Sequence, residues 1–424
     1  MKQNAVIKIT LIGALIGSSL VTFSGYGIFL ILFFYLIIKG EGKKIFSLVL
    51  EEKYILLLFF YLILSLFRSN YKVDSLLGFL GIFIAVLIYI VIRKYINSIN
   101  ETKDILKFFV ISNIIISTYG IIQFYFIKDS YFSASWIDSS VYNISMRAYS
   151  SLLNPNVLSG YLIFCISLQL TALENIKLKK MNVISLILSS FCLILTYSRG
   201  AWISLLIILL LTYCYRKKII YILYSLGFFI SLILINGNAG IERISLNNSL
   251  NDNSLQYRIE IYRSVLKVID EHFFFGTGLN TMKNYIHNYS QIINSPVHHA
   301  HNLILNILGE TGFIGLIIFS MILVGLIKDL YYIYRLEGSF YKDTAVSCFL
   351  GFLSIFIHGF VDMPIIAPQF LFFVIYIYAF IINIKDMTAS FKRSSHPYCD
   401  NRKCSGGEVY ETRNISFKKG YFRA

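Results

Sequence analysis

Between residues 5 and 384 the chain is a near-unbroken series of apolar runs divided by short polar breaks. A helix that crosses a hydrocarbon core of about 30 Å needs about 20 mostly apolar residues. The runs that meet this pattern, with some extension at their ends, are 5–22, 26–38, 54–67, 74–92, 104–127, 155–173, 182–197, 201–214, 219–236, 303–327, 344–361 and 366–384. Only 14% of residues are charged while 56% are hydrophobic, against roughly 25% charged in a soluble domain. That balance excludes a soluble enzyme, a secreted disulfide scaffold and a disordered chain. The expected class is all-α: a polytopic membrane protein with about twelve transmembrane helices. The first run carries Lys2 and Lys8, but no small-residue cleavage site follows it, so it reads as a retained helix.

The basic residues test that count. Counting from a cytoplasmic N-terminus, the outer segments hold Arg68, Lys72, Lys128, Arg147, Arg199, Arg243, Arg258, Arg263, Lys267 and Lys283, and the other 28 of the 38 Lys and Arg fall inside. The asymmetry alternates from loop to loop, as the positive-inside rule requires. The formal net charge of +15 is therefore assigned to orientation, and nucleic acid is not an expected partner. Residues 182–214 pose one choice. A single helix of that length would span about 50 Å, and both flanks are basic, so a hairpin around Ser198-Arg199-Gly200 is expected. The membrane domain then covers 1–384, and 385–424 forms a basic cytoplasmic tail, expected to be unstructured and to lie on anionic lipid.

Two outer segments are long, 128–154 and 237–302, and extended loops of this kind usually carry function. The second contains five of the seven histidines, at 272, 287, 298, 299 and 301. Residues 257–269 have a helical pattern: Ile261, Val265, Val268 and Ile269 share one stripe, with Arg258, Arg263 and Lys267 elsewhere. In the helix that follows, Asn302, Asn306 and Glu310 recur every fourth residue and should face protein or water. Gly312, eleven residues beyond His301, is expected on the histidine's face, with Gly315 nearby.

His301-Asn302, nine residues, Gly312, two residues and Gly315 resemble the H-[NSQ]-x9-G-x2-[GTY] signature of O-antigen ligases. Tyr197-Ser198-Arg199-Gly200-Ala201-Trp202, Arg258-x3-Tyr262, Phe275-Gly276-Thr277-Gly278-Leu279, Asn154-Pro155-Asn156 and His358-Gly359-Phe360-Val361-Asp362 are similar to segments of the same superfamily, which also contains O-antigen and capsule polymerases. The resemblance covers roughly 150–370. One departure is that Phe273 and Phe274 stand where a proline usually precedes the Gly-x-Gly turn.

The resemblance implies transfer of a glycan from undecaprenyl diphosphate to a hydroxyl acceptor, lipid A–core for a ligase or a repeat unit for a polymerase, at the outer face of the cytoplasmic membrane. The residue types suit that task. A histidine is the natural base near neutral pH, and arginine grips phosphate oxygens bidentately. His301, Arg199 and Arg258 are the catalytic candidates; Arg263, Asn302, His298, Gly312 and Gly315 are candidates for substrate binding. Without an Asp-x-Asp or a Walker A motif, neither metal nor cofactor is expected. A metal held by His298, His299 and His301 is the weaker reading, since no carboxylate or cysteine is adjacent in sequence. Glu310, His358 and Asp362 read as buried structural partners, and Asn154 and Asn156 as a helix cap. A twelve-helix transporter or lipid flippase is the competing class. It is disfavoured by the absence of an internal repeat and by the gathering of His and Arg at one face.

Overall fold

The computed structural model describes residues 2–127, 146–171, 179–244, 253–289 and 297–394, and all regular structure among these is helical. The helices are α1 (Lys2–Leu20), α2 (Ser24–Ile38), α3 (Gly42–Glu51), α4 (Lys53–Arg68), α5 (Lys72–Tyr95), α6 (Ile99–Phe126), α7 (Pro155–Thr171), α8 (Lys179–Leu195), α9 (Arg199–Arg216), α10 (Ile220–Ile244), α11 (Asn253–Glu271), α12 (Met282–Ile286), α13 (Leu303–Tyr334), α14 (Ser339–Gly359) and α15 (Pro368–Ser394). Each apolar run singled out in the sequence coincides with one of them. Six are long and apolar enough to cross a membrane: α5, α6, α9, α13, α14 and most of α15. Shorter apolar helices lie within α1, α7 and α10, and α2 with α3 forms a pair bent by 110°. The inner loop expected after residue 38 is thus partly helical.

The bundle is organised around α7, which is buried along nearly its whole length. A helix that is apolar on every side needs neighbours on every side, and α7 has α6, α8, α9 and α14 against it. Its aromatic residues interlock with those of α15: Tyr161 packs edge-on to Phe373 at 4.8 Å between centroids, and Phe164 to Phe370 at 5.6 Å. Small residues bring α14 close, since a Cβ on Gly351 would stand 3.2 Å from the Phe164 ring, the usual device of helix packing in lipid. Thr171 adds a hydrogen bond to the Asp343 carbonyl at 2.9 Å.

At one end of the bundle the basic residues are matched by acids. Lys8 pairs with Glu101, Arg93 with Glu52 and Asp386, Lys94 with Glu41, Arg216 with Asp343, and Lys385 with Asp329. These contacts bring together the chain ends that the charge count assigned to a single side. The expected break between residues 182 and 214 falls at Thr196–Ser198: Tyr197 is left-handed (φ 52°), and α8 and α9 both lie against α7. The last helix continues to Ser394, ten residues beyond the expected end of the membrane domain; residues 395–424 lie outside the described residues, as do 128–145 of the first long loop.

Candidate active site

The opposite end of the bundle holds α11, α12 and the first turns of α13, interlocked with the turn between α14 and α15. Ile261, Val265, Val268 and Ile269 are buried, as their spacing predicts, against Met282, Tyr285 and Ile286 of α12, with Leu305 and Leu308 of α13 beside them.

The segment Phe273–Gly278 is threaded into a break in α13. At Gly312 the backbone takes φ 63°, ψ −171°, a conformation that only glycine adopts readily. The amide groups that a continuous helix would use there bond to the loop instead. Phe313 N–H donates to the Phe273 carbonyl at 2.7 Å and Ile314 N–H to that of Phe274 at 3.2 Å, while Thr277 and Gly278 donate to the Gly309 and Glu310 carbonyls at 3.0 and 2.9 Å. A Cβ on Gly312 would lie 2.5 Å from the Gly276 nitrogen, and one on Gly276 would lie 2.4 Å from the Glu310 carbonyl. Tyr61 donates to the Phe275 and Thr311 carbonyls, and the Arg68 guanidinium stands 4.3 Å over the Phe275 ring. A Cβ on Gly315 would collide with Thr311 and approach Tyr61. This corrects the sequence expectation for the glycines. The helical phase that placed Gly312 beneath His301 is interrupted at Gly312 itself, and both Gly312 and Gly315 are taken up by packing.

The expected polar stripe of α13 does face protein. Asn302 caps the helix, its Oδ1 accepting from Leu305 N–H at 3.0 Å, and its amide donates to the Phe360 carbonyl at 3.1 Å. Asn306 Oδ1 accepts from Ala300 N–H at 3.0 Å. Glu310 is buried, with the Asn280 and Met282 amides and the Asn306 side chain as its polar neighbours.

His301 sits just before the cap with a left-handed backbone (φ 49°). Tyr262 of α11 holds it there, donating to the His301 carbonyl at 3.1 Å and the Phe360 carbonyl at 3.3 Å. The imidazole Nδ1 meets Asp362 Oδ1 at 3.2 Å, and His299 Nε2 meets the same oxygen at 3.3 Å. The two rings are 4.4 Å apart. Asp362 Oδ1 also accepts from Met363 N–H at 2.7 Å, while Oδ2 is buried with Arg258 Nη2 at 3.9 Å. Burial alone would raise the Asp362 carboxyl, but His301, His299 and Arg258 outweigh it and hold the group well below the ordinary carboxylate range. Asp362 is therefore an anion at neutral pH, and it draws together two histidines and an arginine.

Arg199 begins α9 beside this cluster. A Cβ on the adjoining Gly200 would lie 2.3 Å from Val361 and 3.3 Å from the His358 ring, so glycine is what allows the Asp362 turn to pack on α9. His358 is buried, and its Nδ1 has no hydrogen-bond partner among the described residues. Asn154 caps α7, as expected, accepting from Asn156 and Val157 N–H at 2.8 and 3.2 Å. Arg147, present in the outer basic set but given no role there, bonds the Thr196 carbonyl and Asn156 Oδ1 at 2.7 and 2.8 Å, bracing the turn before Arg199.

Two candidates lie apart from the cluster. The Arg263 side chain is 71% exposed and pairs with Glu260 on its own helix at 3.4 Å; five residues turn a helix well past the face of Arg258. His298 is exposed. Sequence reasoning gave two members other roles, His299 only that of a metal ligand and Asp362 that of a buried structural partner. Nothing local signalled that Asp362 would reach His299 and His301. His299, His301 and Asp362 offer ligand atoms within 4.8 Å of one another, a set that shares two histidines with the weaker metal reading of the sequence and replaces His298 by a carboxylate that Arg258 also approaches.

Residues 184–320 match the family model for O-antigen ligase. A comparison with curated proteins returns no match. The matched stretch runs from α8 into α13 and contains Arg199, Arg258, His301, Asn302, Gly312 and Gly315, while Asp362 and His358 come from beyond it. The match covers about a third of an all-helical chain with several membrane-length helices, and it supports a likeness to membrane glycan transferases of the O-antigen ligase/polymerase superfamily.

Proposed function

We propose that this protein transfers an oligo- or polysaccharide from undecaprenyl diphosphate to an acceptor hydroxyl at the extracytoplasmic face of the cytoplasmic membrane, with all twelve apolar helices crossing the bilayer. The observation that carries the reading is the convergence of His301, His299 and Arg258 on one buried carboxylate, Asp362, with Arg199 on the neighbouring helix start. With Nδ1–H directed at Asp362, the neutral imidazole keeps its Nε2 lone pair for the acceptor proton, and the anion favours the imidazolium that forms.

The acceptor oxygen attacks the anomeric carbon and His301 Nε2 takes its proton. The bond from that carbon to the diphosphate oxygen breaks, and the electron pair leaves with the lipid diphosphate. Arg258 and Arg199 supply fixed positive charge to the leaving group. Direct displacement inverts the anomeric centre, which NMR of the product tests. No metal takes part in this scheme. We favour lipid A–core as acceptor, a ligase reaction; polymerisation of repeat units uses the same chemistry. The surface glycan of a deletion strain decides between them. Lipid-linked polymer beside an uncapped core marks a ligase and a single repeat on the core marks a polymerase, while an unchanged glycan overturns both. Full activity of His301→Ala, at normal membrane abundance, removes His301 as the base.

A further inference from the structure

Helix α11 carries two apolar stripes, and among the described residues protein covers only one. Ile261, Val265, Val268 and Ile269 form the buried stripe. Leu255, Ile259, Tyr262 and Leu266 fall within about 60° of one another at 100° per residue. Three of these are exposed, Leu266 to 54%, and Tyr262 is half-buried. The remaining arc is polar and contains Glu260, Arg263 and Lys267. A loop helix on a water-facing surface needs one apolar stripe, and a second contiguous one marks something that covers it.

The covering medium is indicated where α11 ends. The chain runs into Phe273 and Phe274, both exposed, and the Phe273 ring stacks on Phe313 at 5.4 Å and 14°. Phe313 is the first residue after the Gly312 break. From there to Tyr334 is about 33 Å of helix at 1.5 Å per residue, one bilayer core. Along it Phe313, Ile317, Met321 and Val324 are exposed on one face of a membrane-crossing helix. The second stripe of α11 is thus continuous, through an aromatic pair at the start of the span, with a surface that lipid solvates. Aromatic residues favour that depth, and Arg263, beside the stripe, suits the phosphates of lipid headgroups.

We infer that α11 is an interfacial helix that lies on the bilayer with Leu255, Ile259 and Leu266 in the headgroup–acyl boundary. The occupant of the stripe is bulk phospholipid, neither a soluble protein nor a second copy of the chain. Tyr262, on the stripe's edge, also grips the carbonyls of His301 and Phe360, and the Phe360 ring is exposed. If the proposed transfer holds, this seat sets Arg258 at headgroup depth, where the diphosphate of a lipid-anchored donor lies, so the donor reaches it laterally.

The test uses the full chain reconstituted in phosphatidylethanolamine–phosphatidylglycerol vesicles. Photoreactive p-benzoylphenylalanine replaces Leu266, Ile259 or, as the control, Lys267, and intact mass is measured after irradiation. Phospholipid adducts at Leu266→p-benzoylphenylalanine and Ile259→p-benzoylphenylalanine, at least about fivefold above the Lys267 variant, are expected. Absence of adducts, equal labelling at all three positions, or cross-linking to a second chain overturns the inference. The readout needs no glycan transfer, so it stands or falls apart from the enzymatic reading.

Discussion

The Nδ1 atom of His301 lies 3.2 Å from Asp362 Oδ1 across 61 residues of sequence, and that contact joins the start of α13 to the turn between α14 and α15. In the proposed scheme Asp362 acts through His301, so Asp362→Asn is expected to cut kcat by at least about tenfold with little change in KM, because the amide no longer favours the imidazolium. His301→Ala removes the base outright, an effect of roughly 100- to 10,000-fold. An Asp362→Asn enzyme with wild-type kcat would dissociate the carboxylate from the chemistry.

The same carboxylate gives stability a pH dependence with a definite sign. Its folded pKa lies well below the ordinary value, so its contribution is present above about pH 4 and is lost as pH falls further, through the folded value. Thermal melting of the wild type in detergent should drop on acidification below about pH 4 more steeply than that of Asp362→Asn. Parallel curves would count against the ionised buried carboxylate.

Arginines on α11 should separate cleanly. Arg258→Ala, and less so Arg258→Lys, is expected to weaken use of the lipid diphosphate donor, since lysine lacks the guanidinium fork. Arg263→Ala should leave kinetics unchanged and cost no more than about 1 kcal/mol of stability, the usual ceiling for an exposed pair such as the one it makes with Glu260. Equal losses from both would contradict the separation of the two side chains on the helix.

At the helix break the prediction concerns folding. Gly312→Ala forces a methyl group to within 2.5 Å of the Gly276 and Phe274 backbone at a φ of 63°, at a cost of about 1–3 kcal/mol from backbone strain before any clash is counted. The melting temperature should fall, and limited proteolysis between α11 and α12 should accelerate. Since Gly276 and Gly312 share one contact, Gly276→Ala added to Gly312→Ala should cost less than the sum of the two.

Chelation provides a last check. Activity should survive EDTA, because His301 is assigned as a base. A loss that an added divalent ion restores would instead make His299, His301 and Asp362 a ligand set.

Much of this was legible from local pattern. Apolar length located the helices, the buried stripe of α11 followed from its 3.6-residue period, and Asn302, Asn306 and Glu310 faced protein because hydrocarbon tolerates unpaired polar groups poorly. Arg199, Arg258 and His301 were named on residue type and a motif. The expectation for the glycines failed for one reason. Projecting Gly312 onto the face of His301 assumed an unbroken helix, yet the Phe273–Gly278 backbone takes over the hydrogen bonds at that point, and no helical wheel contains that segment. Arg263 was included with Arg258 for its charge, although the turn of the helix carries it to the exposed side.

What the sequence by itself determined is therefore the membrane class, the position of the helices and the chemical types available at one end of the bundle. These depend on transfer free energies and periodicity, which act residue by residue along the chain. Only the tertiary structure decided that Asp362 serves both His299 and His301, that Gly200 admits the Asp362 turn, and that the described residues leave a second apolar stripe of α11 uncovered. Those are relations between segments dozens of residues apart, set by packing and by the shared demand to satisfy buried polar groups. No local window of sequence contains both partners.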